Sequence, residues 1–133
     1  MTPIKLQIAP GPDRSELIEV DLVRGPPVEL RVLGHHSGPM MFAGGDVFDA
    51  LVAMRLQLEQ DGYRLLCNAA RKDAYPSRMS REMSGGRKVY LLKPGRQALR
   101  EDLIDVFDPA TYDEVGTVAE QRSNYEAWIR SLK

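Results

Sequence analysis

The sequence predicts a single α+β domain over residues 1–133: a mostly antiparallel sheet of five to six strands with two helices packed on one face. Three observations carry that expectation. A period-2 apolar pattern recurs through the first third of the chain, helical spacing replaces it after residue 46, and short apolar runs followed by a second capped helical stripe fill the C-terminal half. The expected order is βββ-α-β-loop-ββ-α.

Ile4, Leu6 and Ile8 alternate with Lys5 and Gln7, which predicts a first strand that stops at Pro10-Gly11-Pro12. Ile18, Val20 and Leu22 alternate with Glu19 and Asp21, and Val28, Leu30 and Val32 alternate with Glu29 and Arg31. Arg24-Gly25-Pro26-Pro27 separates these runs as a turn, so they predict an antiparallel hairpin with one buried and one wet face. In the loop GHHSGPMMFAGG, residues Met40, Met41 and Phe42 are expected to cover a sheet edge or to protrude as a contact.

Val47, Leu51, Met54 and Leu58 then recur at helical spacing, with Phe48 and Val52 widening the stripe. Asp46 is the expected N-cap, Asp49 adds negative charge to the first turn, and Gly62 ends the helix. A crossover between parallel strands is the alternative role for this helix. Runs at 63–70 and 88–92 (KVYLL) are apolar on consecutive residues, which places RLLC and KVYLL near the sheet centre. Lys93-Pro94-Gly95-Arg96 predicts a type II turn into a strand at 102–107, antiparallel to KVYLL. Thr117 and Glu120 form a capping box for the last helix, whose Val118, Tyr125, Trp128, Ile129 and Leu132 share one side. Core packing is the expectation for Tyr125 and Trp128, and a partner hot spot is the competing reading.

An apolar share of 43% and a charged share of 28% are those of a globular domain rather than a disordered chain. No run approaches the ~18 apolar residues that span a bilayer, and the N-terminus lacks the apolar core of a signal peptide. The only cysteine, Cys67, lies in the apolar run RLLC, where it is expected to be a small buried hydrophobe. These features predict a cytoplasmic protein with no membrane partner.

Net charge is −1, yet it is unevenly spread: −4 over residues 1–63, +8 over 64–100 and −5 over 101–133. The stretch NAARKDAYPSRMSREMSGGRK, residues 68–88, holds six cationic side chains against Asp73 and Glu82. Ser77 can cap a short helix through Met83, and Gly85-Gly86 can end it. The candidate partner-binding residues are Arg71, Lys72, Tyr75, Arg78, Met79, Arg81 and Arg87, with Met83 and Lys88 beside them. Guanidinium forks match carboxylate and phosphate, tyrosine supplies an aromatic face, and methionine gives adaptable apolar contact. The competing reading is a solvated or internally paired loop, with Arg78 and Glu82 as an i, i+4 pair.

Other constellations carry weaker chemistry. His35-His36 lacks the further ligands that a metal site requires, so no metal is expected. Gly44-Gly45-Asp46 lacks both phosphate-loop spacings, and its aspartate competes for the helix N-terminus. No G-x-S-x-G surrounds a serine, and Asp102, Asp105 and Asp108 are expected to be solvent-facing rather than catalytic. No cofactor is implied. The function these features predict is a small non-enzymatic interaction protein, of the compact bacterial inhibitor or immunity class, which meets an acidic protein surface through residues 71–88. Nucleic acid or a phosphate ligand on the same loop is one alternative, although the pI of 6.1 is low for it. An enzyme with an unrecognised arginine and carboxylate site is the other.

Overall fold

The computed structural model describes residues 3–35 and 38–132, so His36 of the histidine pair lies outside the described residues. The alternating N-terminal runs form β1 (Ile4–Gly11), β2 (Arg14–Val23) and β3 (Val28–Leu33), and MMFAG adds β4 (Met40–Gly44). Leu6 lies opposite Ile18 and Val20 opposite Val32, a register that turns every apolar member of the alternation to one face. The β2–β3 turn contains a cis Pro26–Pro27 peptide. Met40, Met41 and Phe42 are therefore part of an edge strand, paired with Val32, Arg31 and Leu30.

α1 (Val47–Gln60) crosses the inner face of this sheet, from β4 at one edge to β5 (Arg64–Leu65) at the other, in the order β4-β3-β2-β1-β5. Phe48, Leu51, Met54 and Leu58 are essentially fully buried against the sheet, each contributing about 1.5–3 kcal/mol of apolar burial. The Asp46 carboxylate caps the helix by accepting from the Asp49 N–H at 2.8 Å. Gly44 permits the approach of β4 to the first turn, because a Cβ there would clash with the Ala50 backbone nitrogen.

After Leu65 the strand expected through residue 70 is cut short. Leu66 N–H still bonds to Gln7 O at 2.8 Å, but the next amides turn elsewhere: Asn68 to Asp108 O at 2.8 Å and Ala69 to Val106 O at 3.0 Å. Residues Asn68–Ala70 coil into a 3₁₀ turn instead. RLLC is thus an edge segment, not a central one. It is apolar on both sides because it passes between the first sheet and the C-terminal half, leaving Leu65 and Cys67 buried.

The C-terminal half builds a second sheet from β6 (Ala74–Tyr75), β7 (Lys88–Leu91) and β8 (Leu103–Asp105), with α2 (Arg78–Ser84) between its first two strands. KVYL is central in this sheet, and the turn before β8 closes with Arg96 N–H on Lys93 O at 3.1 Å. The closing helix, α3 (Val118–Ser131), carries the expected Thr117–Glu120 capping box. All strand pairs are antiparallel, so the α+β class holds and the parallel crossover is not realised. The strands form two sheets rather than one, because the hydrogen-bond ladder breaks where residues 66–70 exchange partners. No helix among the described residues is long and apolar enough to cross a membrane.

Candidate functional site

The basic stretch is held by local signals before any long-range contact acts. Ser77 Oγ accepts from Ser80 N–H at 3.0 Å, and Ser77 N–H returns a bond to Ser80 Oγ at 2.9 Å. Gly85 adopts the left-handed conformation that ends α2, and its carbonyl accepts from Val47 N–H at 2.9 Å, joining the end of α2 to the start of α1. Gly86, with φ +80, packs so closely on Asp46 that a Cβ would lie 2.6 Å from its carboxyl carbon.

That docking brings the acidic flanks back onto the basic loop. Arg71 donates to Asp73 and to Glu114, both at 2.8 Å. Arg81 bridges Asp46 at 2.9 Å and Asp49 at 3.0 Å, with its guanidinium carbon 5.2 Å from the Phe48 ring centroid. Arg87 meets Asp105 at 3.3 Å and lies over Phe107, and Lys88 approaches the same carboxylate at 4.0 Å. Hydrogen bonding to Asp73 raises the Arg71 pKa above its ordinary value. Burial pulls the Arg81 pKa down, and the bonds to Asp46 and Asp49 outweigh it to give a net rise. Glu114 is held below the usual carboxylate range by the Thr111 N–H first and by Arg71 second.

Arg78 differs from these three. Its 3.3 Å contact with Glu82 is solvent-exposed, the kind of i, i+4 pair worth only a few tenths of a kcal/mol, and its side chain is 93% exposed. Met79 and Met83 on the same helix are 63% and 73% exposed. Among the described residues, no carboxylate lies within 4 Å of the Lys72 amine, whose stem packs on Gly116. The structure thus divides the seven candidates: Arg71, Arg81 and Arg87 are tied to their own chain, while Lys72, Tyr75, Arg78 and Met79 border open surface.

Tyr75 reaches that surface through an aromatic series. Its ring meets Phe48 edge-on at 5.5 Å and stacks on Tyr125 at 4.1 Å, and Tyr125 lies 6.2 Å from Trp128. Tyr75, Met79, Tyr90, Tyr125, Trp128 and Leu132 line a cleft of about 370 Å³ between α3 and the second sheet. A second hollow of about 260 Å³ lies across Trp128, lined by Lys72, Leu92, Pro94 and Ala127 among others. The Trp128 indole N–H donates to Lys93 O at 3.1 Å and Arg96 O at 2.9 Å, which fixes the ring between the two hollows.

Tyr125 and Trp128 are therefore half-buried walls of a cleft, not core residues as expected. The one buried residue of α3 is a glutamine. Gln121 Oε1 accepts from Arg55 Nη1 at 2.6 Å, and its Nε2 faces the carbonyls of Ala69, Arg71 and Ala74 at 2.8, 2.9 and 2.9 Å. Arg55 also donates to Ala69 O at 3.1 Å and Gly116 O at 3.2 Å. Arg55 is 2% exposed; its guanidinium is solvated by two peptide carbonyls and the Gln121 oxygen, with no carboxylate in hydrogen-bond contact among the described residues, and burial lowers its pKa. Sequence periodicity does not reveal this network, although Arg55 lies four residues after Leu51 and Gln121 three after Val118, both on the apolar stripes. It ties β6, and with it Tyr75, to α3.

The remaining candidates have structural partners. His35 is buried beside Tyr63, and no group of three His, Cys, Asp or Glu among the described residues could hold a metal. Asp46 occupies the helix terminus that an anion would need. Asp102 accepts from Leu99 N–H at 2.9 Å and pairs with Lys93 at 3.6 Å, while Asp105 accepts from Phe107 N–H at 2.9 Å. Burial pushes the Cys67 thiol pKa up to about 12, far from a nucleophile's range. No protein-family model matches the chain, and no curated protein resembles it significantly.

Proposed function

We propose that the chain is a small non-enzymatic interaction protein that engages an acidic protein surface through α2 and the residues beside it. Lys72, Arg78, Met79 and Tyr75 make the contact, and Arg71, Arg81 and Arg87 hold the loop in shape for it. The observation that carries this reading is the exposed face of α2, where Arg78 and two methionines stand in solvent on a helix clamped at both ends. Arginine, methionine and aromatic residues are enriched in interface centres. Size and chemistry fit a compact inhibitor or immunity-type binder of bacteria, acting in the cytoplasm. Nucleic acid draws less support, because most of the loop's cations already face carboxylates of the same chain.

A photo-crosslinking amino acid at Met83, with Leu33 on the opposite sheet as control position, tests the reading in native cell extract. A protein species captured from Met83 alone, and lost on Lys72→Glu with Arg78→Glu, is the expected result. Capture unaffected by the double reversal, or equal capture from Leu33, overturns it.

A further inference from the structure

We infer that β4 is a dimerisation strand: it pairs antiparallel with β4 of a second copy of this chain about a two-fold axis at Phe42, joining two five-stranded sheets edge to edge. The inference goes beyond the α2 interface and does not depend on it.

An edge strand presents a row of unpaired N–H and C=O groups, which folded chains cover, charge or bend away. Three of the four sheet edges are covered. Beyond β5, Ala110 N–H bonds to Leu66 O at 3.2 Å and Asn68 N–H to Asp108 O at 2.8 Å. Beside β6, Gln121 Nε2 donates to Arg71 O and Ala74 O, and Lys72 N–H bonds to Glu114 O at 2.9 Å. Beside β8, Asn68 Nδ2 donates to Asp105 O at 3.1 Å and Ala69 N–H to Val106 O at 3.0 Å. β4 differs: among the described residues, 40–44 make no backbone hydrogen bond outside their pairing with β3. Nothing in its sequence guards that row. MMFAG carries no charge and no proline, and it pairs with β3 in an unbroken register without a bulge.

The same five residues fit their own copy. Turned antiparallel about Phe42, the strand sets Met41 opposite Ala43 and Met40 opposite Gly44 of the second copy, so each long side chain meets a short one on its own face of the sheet. Met41 and Ala43 are exposed on the outer face, and Phe42 meets its counterpart on the α1 side, where it is half-buried against the core. Charge agrees with this pairing. On the outer face Arg31 stands beside Met41 and Glu29 beside Ala43, so the two-fold places a cation and an anion at opposite ends of one row and sets no charge against its like. Pairing also stops at two copies. The edge beyond β5 is already bonded, so the product is a closed dimer rather than a fibre.

Sedimentation of the full chain from about 5 to about 500 μM reads its mass. A rise from the 14.9 kDa of one chain towards twice that value is expected, with a Kd of about 1–100 μM for so short a seam. Met41→Lys, at an exposed position, is expected to weaken association about tenfold or more, and Leu17→Lys, exposed on β2 away from the edge, to leave it unchanged. Disulfide formation reads the register. Met41→Cys mixed with Ala43→Cys sets thiols directly opposite, with Cβ atoms about 4.5–5.5 Å apart, whereas either variant alone sets them on a diagonal of about 7–8 Å, too long for a relaxed bridge. The mixture is expected to crosslink about fivefold faster than either variant alone, and the buried Cys67 takes no part. A chain that stays monomeric to about 500 μM, a dimer as sensitive to Leu17→Lys as to Met41→Lys, or equal crosslinking with and without mixing overturns the inference. The product has the mass of two chains, so it is told apart from any species captured at Met83, and its absence leaves the α2 interface standing.

Discussion

Gln121→Leu tests how the two layers of the molecule are joined. The substitution nearly preserves volume but removes the acceptor of a 2.6 Å bond from a buried guanidinium and the donor to three backbone carbonyls. A hydrogen bond to a charged partner is worth about 1.5–3 kcal/mol, and one buried carbonyl left without a donor costs about 1–3 kcal/mol more. Ala69 O keeps Arg55 as a donor and Arg71 O keeps a backbone contact from Ala74 N–H, so the Ala74 carbonyl is the one counted. The leucine's own burial offsets about 1 kcal/mol, which leaves a net loss of about 3 kcal/mol from a typical 5–15 kcal/mol. Urea unfolding followed by Trp128 fluorescence and far-UV circular dichroism measures it, with Arg122→Leu on the exposed side of α3 as control. A loss under about 1 kcal/mol, or one matched by the control, would refute the account of Arg55 as a charge held by these partners.

Gly86→Ala forces a side chain onto a left-handed backbone and into Asp46, so strain and a lost α1 cap together cost about 2–4 kcal/mol in the same assay. Acid destabilises the fold through carboxylates whose pKa values are depressed, chiefly Glu114 by the Thr111 N–H and Glu120 by the Thr117 N–H. Depressed values mean that the unfolded chain binds protons first, so the urea midpoint holds near neutrality and falls as pH drops below the ordinary glutamate value of 4.5. An unchanged midpoint well below that pH contradicts the assignment. Cys67 in the native protein resists maleimide at about pH 8 and is labelled only on unfolding, as mass spectrometry with and without urea will show; prompt native labelling contradicts its burial.

Elements governed by neighbours in sequence were legible. The alternation of β1–β3, the Asp46 and Ser77 caps, the Thr117–Glu120 box and the Lys93–Arg96 turn all follow from contacts within a few residues. Residues 63–70 failed because an apolar run reports burial, not strand position, and the amides of Asn68 and Ala69 are claimed from residues 106–108. Charge counting located the basic loop but not its neutralisation, since Arg81 and Asp46 are 35 residues apart and Arg71 and Glu114 are 43 apart. The expectation of a core Trp128 fails because helical periodicity marks which side faces the protein and not how far the other layer extends. A three-stranded sheet extends only part of the way.

The route taken by Arg55 also constrains how the chain is made. Its acceptors follow it by 14, 61 and 66 residues, while the meander beneath α1 is complete before Arg55 is translated. A nascent chain can therefore pair β1 to β4 one neighbour at a time, yet its covering helix emerges carrying a charge that water must solvate until Gln121 clears the ribosome. The sheet that forms early cannot be sealed early. A helix that begins at Val118 closes the core of residues 4–65, and the two layers become native together.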